Sequence, residues 1–581
     1  MPDRIASLYR ARLSKEKGTI RKEWGGKLSI ALCYPNSYRI GMSSLGYQAV
    51  YHLLNRREQV VAERVFLPEG PEMSLAPEER RGLVSLESLS PLQRFDVVAF
   101  SLSFENDFPN ILKILQLGKI PLLSEERDEA HPLIMAGGVI TFLNPEPIAD
   151  FFDLFLTGEA EPVLDPFLDL LSDLKRGRSP KWEILSRLAV EIPSVYVPSF
   201  YHVEYNSDGT IRERVPLEPS APERIEVARV DPLCGPPTIS SIRTPDTEFA
   251  GRVLVELGRG CGRSCRFCAA GYVYRPPRNH PLPEVLSSLE ESIGKERKFG
   301  LLAPSIADIP DVDEITGFIL DKGGSFSLSS LRADGLTPPM IDALKRSGQK
   351  TLAIAPEAGS ARLRRVINKH LSEEQIIHAV GMIASAGEFA VRLYFLVGLP
   401  TETREDVNAI LELVKHIKHR LVKDSSTRGK IGQLRLSVNC FVPKPFTPFQ
   451  WFPMESLDAL KEKQKWLKKS LEREGGIRVN FDVAKWAGVQ AILSLGDRRA
   501  GHLLRLVHEH QGDWNKARRF SEFNPDFFIH RPKGLREVLP WDFLDHGLRK
   551  EHLIKEYRLA LKGEESDPCH PGDCIRCGAC V

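Results

Sequence analysis

The chain has no long apolar run. Across its 581 residues nothing approaches the roughly 18–20 apolar positions of a membrane span, and residues 133–143, among the longest such stretches, contain two glycines. A dominant sign of charge is missing too, since 79 basic against 77 acidic side chains leave a formal charge of +2. That excludes a whole-chain electrostatic argument for a nucleic-acid partner, so any such surface must be a local patch. No internal repeat or low-complexity tract is present. Charged residues at 27% beside 42% hydrophobic residues exclude wholesale disorder. Residues 1–19 alternate basic and apolar positions with no apolar h-region, so a signal peptide is not expected. A cytoplasmic chain with reduced cysteines is expected instead, and no membrane partner.

Ten cysteines are present, and their distribution is informative. Cys261, Cys265 and Cys268 form one short cluster, and Cys569, Cys574, Cys577 and Cys580 form another. Cys33, Cys234 and Cys440 are scattered, and Cys440 reads as a buried core residue on its strand.

The length suggests about three or four domains. Residues 1–27 read as an extension. Residues 28–175 alternate strand and helix signals, with strands at 27–34, 95–101, 133–136 and 153–156 and helices at 44–54 and 107–117. That rhythm predicts an α/β, doubly wound, Rossmann-like domain whose ligands sit at the carboxyl ends of the strands. Residues 176–248 read as a linker with one hairpin, turned at Asn206-Ser207-Asp208-Gly209. A second series over 249–455 has strands at 252–257, 299–303, 325–328, 351–355, 390–397 and 434–441. Six βα units imply a partial (β/α)6 barrel, too short for the usual eight. Residues 456–567 read as a helical C-terminal region opening on a basic amphipathic helix, and 568–581 as a cysteine tail.

Cys261-x3-Cys265-x2-Cys268 directly follows the first barrel strand. Three thiolates can bind three irons of a four-iron, four-sulfur cluster and leave the fourth iron open for chemistry. A zinc knuckle is the alternative, but it would want two separated pairs and a fourth ligand nearby. With Phe267 before the last cysteine, this element resembles that of the radical S-adenosylmethionine (radical SAM) superfamily. The resemblance implies that the open iron chelates S-adenosylmethionine and that one electron cleaves it to a 5′-deoxyadenosyl radical, which abstracts hydrogen from a substrate. It also implies an electron donor such as flavodoxin or ferredoxin. Carried over by motif, Glu357 in the stretch 355–360 is the ribose candidate. Gly398, Leu399 and Pro400 stand where backbone groups hold the adenine. Arg392 and Arg332 stand as candidates for the methionine carboxylate, and Ser305 for the methionine amino group. The usual Gly-Gly-Glu triplet is absent after the second strand, where the sequence reads APSIADIP.

A doubly wound domain ahead of such a barrel resembles the cobalamin-dependent branch. Ser101-Leu102-Ser103, Gly137-Gly138, 144–147 and 158–161 are the matching elements. The D-x-H-x-x-G motif that gives cobalt a histidine does not occur; only His52 and His131 lie in residues 1–170. A bound cobalamin without that base and a domain kept as scaffold both remain open. The stretch 259–278, together with 367–375, 441–451 and 539–547, resembles a bacterial radical SAM family with a cobalamin-binding-like domain and a C-terminal cysteine cluster. For Cys569, Cys574, Cys577 and Cys580 the residues leave three readings: an auxiliary iron–sulfur cluster, zinc, or a redox-active thiol tail. The functional expectation is a radical SAM enzyme performing methyl or methylthio transfer. RNA is favoured as substrate by Arg275, Arg278, Arg362, Arg364, Arg365, Lys369 and the basic helix. The competing reading is a non-catalytic iron–sulfur sensor.

Overall fold

The computed structural model describes residues 4–70, 82–249, 251–294, 296–425, 432–570, 572 and 574–580. The N-terminal sheet is built from β1 (Leu28–Tyr34), β2 (Val60–Phe66), β3 (Val97–Ser101), β4 (Leu133–Gly137), β5 (Leu154–Leu156) and β6 (Val195–Tyr196). Their order is β2-β1-β3-β4-β5-β6, all parallel except β6. This doubly wound order reverses between β1 and β3, and ligands of such sheets bind in the crevice at that point. Strand β2 escapes a hydrophobicity reading because Glu63 and Arg64 sit in its middle. Both are buried and paired. Arg64 is gripped by Glu16 and Glu87 at 2.6 Å each. Glu63 accepts from Trp24 Nε1 at 2.8 Å and from the Ser85 and Ser88 hydroxyls.

The region 176–248 holds the expected hairpin, β7 (Tyr201–Tyr205) against β8 (Ile211–Pro216). It also holds a helix, Lys181–Glu191, and the antiparallel β6 that edges the N-terminal sheet.

The second sheet follows chain order. Strands β9 (Val253–Glu256), β10 (Lys298–Leu302) and β11 (Ser325–Ser327) are parallel neighbours. A bridge between Leu331 and Ile354 carries the curve on to β12 (Thr351–Glu357), β13 (Ala390–Val397), β14 (Leu434–Cys440) and β15 (Ile477–Phe481). The six expected strands are present, and β15 extends the partial barrel by a seventh. It follows the basic helix Leu457–Glu474, completing one more βα unit than the sequence showed. On β13, Val391, Leu393, Phe395 and Val397 are fully buried on the helix side. The alternate residues Arg392, Tyr394 and Leu396 face the concave side and stay half-exposed. Cys440 lies on the helix side of β14, where its thiol accepts from Gln464 Nε2 at 3.3 Å and burial pushes it up to about 12.

Polar latches join the domains. Asn144 Nδ2 donates to Ser494 O at 3.0 Å and to Gly496 O at 2.7 Å, and Glu146 pairs with Arg498 at 2.9 Å. Thus the 144–147 run, read from sequence as part of a cobalamin site, is a latch to the C-terminal helices. Glu105, after β3, pairs with Lys444 from the 441–451 stretch. Gln450 accepts from Trp541 Nε1 at 2.8 Å, and His546 Nε2 donates to Phe142 O at 2.7 Å. Burial lowers the His546 pKa to about 4, well below an ordinary imidazole. Unfolded, the ring titrates near 6.5, so between about pH 6.5 and 4 the unfolded state binds more protons. Stability from this latch is therefore full above about pH 6.5 and is lost as pH falls toward 4. The denaturant midpoint should fall further between pH 7.5 and 5 for wild type than for His546→Gln. Equal falls would remove His546 from the account.

Candidate cluster and cofactor site

The short antiparallel pair Gly258–Arg259 with Arg278–Asn279 closes both ends of the first cysteine loop. Gly260 adopts φ +76°, and a Cβ there would collide with the Tyr274 carbonyl, so the tight entry needs glycine. The three thiols are half-buried and close enough to perturb one another. Burial first, then Cys265 and Cys261, push Cys268 up to about 12, while the N–H groups of Gly271 and Ala270 point at its sulfur and oppose the shift. Burial likewise raises Cys261, opposed by the Arg263 N–H. Thiols held this high lose their protons when a metal replaces them, and backbone N–H donors at sulfur suit an iron–sulfur cluster. Among the described residues, no group of three or more His, Cys, Asp or Glu converges on one metal ion. A cluster in which each thiolate takes its own iron does not require that convergence.

Buried charge fixes the loop. Arg266, between the last two cysteines, is fully buried. It pairs with Glu556 at 3.0 Å and donates to the carbonyls of Arg365, Val366 and Glu564. Asn368 donates to Ser264 O at 3.2 Å and accepts from Ser566 N at 2.9 Å. At the loop's base, Arg259 pairs with Glu159 at 3.0 Å and Glu256 at 2.9 Å, and Arg278 pairs with Glu159 at 2.7 Å. The 158–161 run of the N-terminal domain therefore grips the base of the cluster loop. Apart from Glu256, three residues before Arg259, these partners lie far apart in sequence, so no local pattern shows them.

The cofactor candidates divide. Glu357 ends β12 at φ +65°, a left-handed conformation costly for a non-glycine residue. Its carboxylate accepts from Lys369 Nζ at 3.2 Å. Burial opposes the Lys369 charge, but Glu357 and the Cys265 thiol outweigh it and raise its pKa. Glu357 and the cluster loop thus meet through one lysine. Gly398, Leu399 and Pro400 close β13 in a turn held by Glu402, which accepts from Gly398 N at 2.9 Å. Leu399 and Ala358 share an apolar cluster against which Phe267 packs, so the fourth-strand, fifth-strand and cysteine elements converge. Arg332 acts on Cys261 electrostatically, but its guanidinium is engaged by Asp334 at 2.9 Å and by Lys369 O at 3.0 Å. The Ser305 hydroxyl is buried beside Asp308 without a hydrogen bond of normal geometry. Arg392 lies deeper. It registers with Ala353, whereas Glu357 registers with Phe395. Those three residues put it about 10 Å further down the strand. If Glu357 holds the ribose, Glu357→Gln removes charge-assisted bonds worth about 1.5–3 kcal/mol. S-adenosylmethionine affinity, read by equilibrium dialysis, should fall about 10- to 150-fold; an unchanged affinity would release Glu357 from the role.

A cavity of about 500 Å³ opens between the N-terminal sheet and the base of the cluster loop. Its floor includes Leu32, Ala99 and Met135, its rim Gly137, Gly158 and Ala160, and its far wall Gly260 and Tyr274 of the barrel. Small residues at the strand ends give a flat ligand close approach to backbone. Among the described residues no histidine lines it, so the fit to cobalamin extends to shape and position and not to a protein base below cobalt.

The cysteine tail packs on the first loop from outside. Cys569 N donates to Gly262 O at 2.6 Å. Arg275 donates to Ser264 Oγ at 2.7 Å and lies beside Cys577 and Cys569. Arg275, His552, Cys569, Cys574 and Cys577 line a second cavity of about 300 Å³. Burial raises Cys569 and Cys580 above the ordinary thiol range. The arginines read from sequence as an RNA surface are mostly internal. Arg275 and Arg278 are committed to these contacts, Arg364 is buried on the carbonyls of Ala358, Gly359 and Leu371, and Arg362 pairs with Asp406. Only Arg365 of that set is exposed.

Comparison with known families matches residues 46–198 to "Radical SAM proteins, N-terminal" and residues 255–414 to "Radical SAM superfamily". An uncharacterized protein of Methanocaldococcus jannaschii is 31% identical over 82% of this chain and 90% of its own length. The ribosomal protein uS12 methylthiotransferase RimO of Geobacter sulfurreducens is 23% identical over 55% of this chain and 72% of its own. Among solved structures, the radical S-adenosylmethionine methyltransferase TsrM of Kitasatospora setae, with tryptophan substrate and a SAM analog bound, overlays with TM-score 0.45 and 13% identity, over 73% of this chain and 75% of that one. With its two matched segments and its cysteine loop at the first strand of a partial barrel, this chain belongs to the radical SAM superfamily. It is a radical SAM enzyme, and its family implies a four-iron cluster, S-adenosylmethionine and a reductant. Among the described residues no helix is long and apolar enough to cross a membrane.

Proposed function

We propose that the enzyme transfers a methyl or methylthio group to an unactivated carbon of RNA, with Cys261, Cys265 and Cys268 holding the cluster and Glu357 the ribose. When bound, cluster and S-adenosylmethionine supply the radical that opens the carbon–hydrogen bond. The chain orients them through the buried Arg259, Arg266 and Asn368 contacts and excludes water with Phe267 and Leu399. The observation that carries the reading is the cavity at the switch point, which shares Gly260 with the cluster loop, so that a flat cofactor bound there would lie beside the cluster. This supports cobalamin there and methyl transfer over methylthio transfer. The tail cysteines, one hydrogen bond from the cluster loop, support an auxiliary iron–sulfur cluster serving as an electron relay from flavodoxin or ferredoxin. The test is enzyme purified after growth with hydroxocobalamin. A corrinoid spectrum should co-elute with wild type and be lost in Ala160→Trp, which fills the cavity. Label from methyl-deuterated S-adenosylmethionine should then enter RNA. A wild type that retains no corrinoid would overturn the cobalamin assignment, and label found only in protein would overturn RNA.

A further inference from the structure

The concave face of the barrel carries a row of arginines that no described interaction neutralises. Strand register aligns Arg392 of β13 with Arg435 of β14, and Arg435 with Arg478 of β15. Residues in register on neighbouring parallel strands share a face at steps of about 4.8 Å. The face is the concave one, because the intervening Leu393, Leu436 and Val479 lie on the helix side. Among the described residues none of the three arginines has an ion-pair partner, and the one side-chain hydrogen bond they make there is from Arg435 Nε to Gln433 Oε1 at 2.8 Å. By contrast, the fully buried Arg64 and Arg266 are each paired with a carboxylate. Like charges set opposite one another across strands are unfavourable, so an unneutralised row of three is a cost that a bound anion removes.

The surroundings narrow the anion. The next concave row is Tyr394, Ser437 and Asn480, followed by Leu396 and Asn439. Asn439, near the carboxyl end of β14, is exposed, as are Arg478 and Asn480 of β15, so among the described residues this part of the face stays open to solvent. An aromatic ring and amides above a line of guanidiniums match a nucleotide chain, with phosphates on arginine and bases on the ring and amides. Depth fits as well. The row lies about 10 Å below the level of Glu357, too deep for the cofactor end and placed for a substrate that extends upward toward it.

We infer that Arg392, Arg435 and Arg478 form the phosphate-binding floor of the substrate trough and that the occupant is single-stranded RNA. This rests on the reading of RNA as substrate and relocates the contact from the outer surface, where the sequence had placed it, to the barrel interior.

The test is fluorescence-anisotropy titration of a labelled single-stranded RNA oligonucleotide over a salt series, using the full chain. Arg435→Gln with Arg478→Gln should lower the slope of log affinity against log salt by about 1.4, two phosphate contacts at about 0.7 each. Retained iron would show the variant folded. Lys465→Gln with Lys468→Gln, on the exposed face of Leu457–Glu474, should leave the slope unchanged. An unchanged slope in the arginine variant, or an equal drop in the lysine variant, would overturn the floor while leaving RNA as substrate standing. Wild type that binds no RNA would overturn both. An acidic peptide displacing the oligonucleotide at equal concentration would overturn RNA as the occupant.

Discussion

Cys265→Ala is expected to abolish 5′-deoxyadenosine formation and to remove the iron bound at the first loop, while the tail site keeps its own metal. The expectation follows from arithmetic at the loop. Three thiols serve a cluster that needs three, and no fourth cysteine is near enough to substitute without dismantling the tail, whose backbone N–H already holds Gly262. Altering a partner behind a metal ligand typically costs about 10- to 100-fold, so removing the ligand itself should cost more and leave activity at background. Iron per chain, measured beside product, separates this result from misfolding. Product at wild-type rate from this variant would mean that the cluster is not where the loop places it.

The second large effect is expected at Arg266. Arg266→Gln leaves Glu556 buried without its cation, and breaking a buried pair from one side typically costs about 3–5 kcal/mol. The consequence is directed, because the same guanidinium holds the 365–367 turn and the carbonyl of Glu564 against the loop. The variant should therefore lose cluster iron after anaerobic reconstitution and become protease-sensitive around residues 550–566. Restoring neutrality with Glu556→Gln in the same chain should recover part of the loss, since it removes the stranded charge. A single variant with full iron content would show that the loop holds its shape without this arginine.

Much of the fold was legible because the barrel strands carry their own signal. The strand Ala390–Val397 alternates along its length and was bounded correctly from sequence, and the cysteine spacing is local chemistry that needs no tertiary information. What escaped depended on distance. Strand β2 was hidden by Glu63 and Arg64, whose partners come from Glu16, Trp24 and 85–88. The seventh strand is five residues long, follows Gly475-Gly476, and exposes Arg478 and Asn480, so it reads as polar loop. The arginines were the hardest. Arg275, Arg278 and Arg364 look in sequence like a basic surface, yet Arg278 is absorbed by the distant Glu159, Arg364 by carbonyls of its own turn, and Arg275 by the cluster loop. Arg435 and Arg478 carry no sequence signal, because cross-strand register exists only once the strands are paired.

The central claim is that this loop and barrel cleave S-adenosylmethionine reductively. The measurement that tests it most directly is 5′-deoxyadenosine released by wild-type enzyme, reconstituted anaerobically and supplied with S-adenosylmethionine and a one-electron reductant. Product that requires the reductant and disappears in Cys265→Ala is the predicted result. No product from wild type carrying an intact four-iron cluster would contradict it.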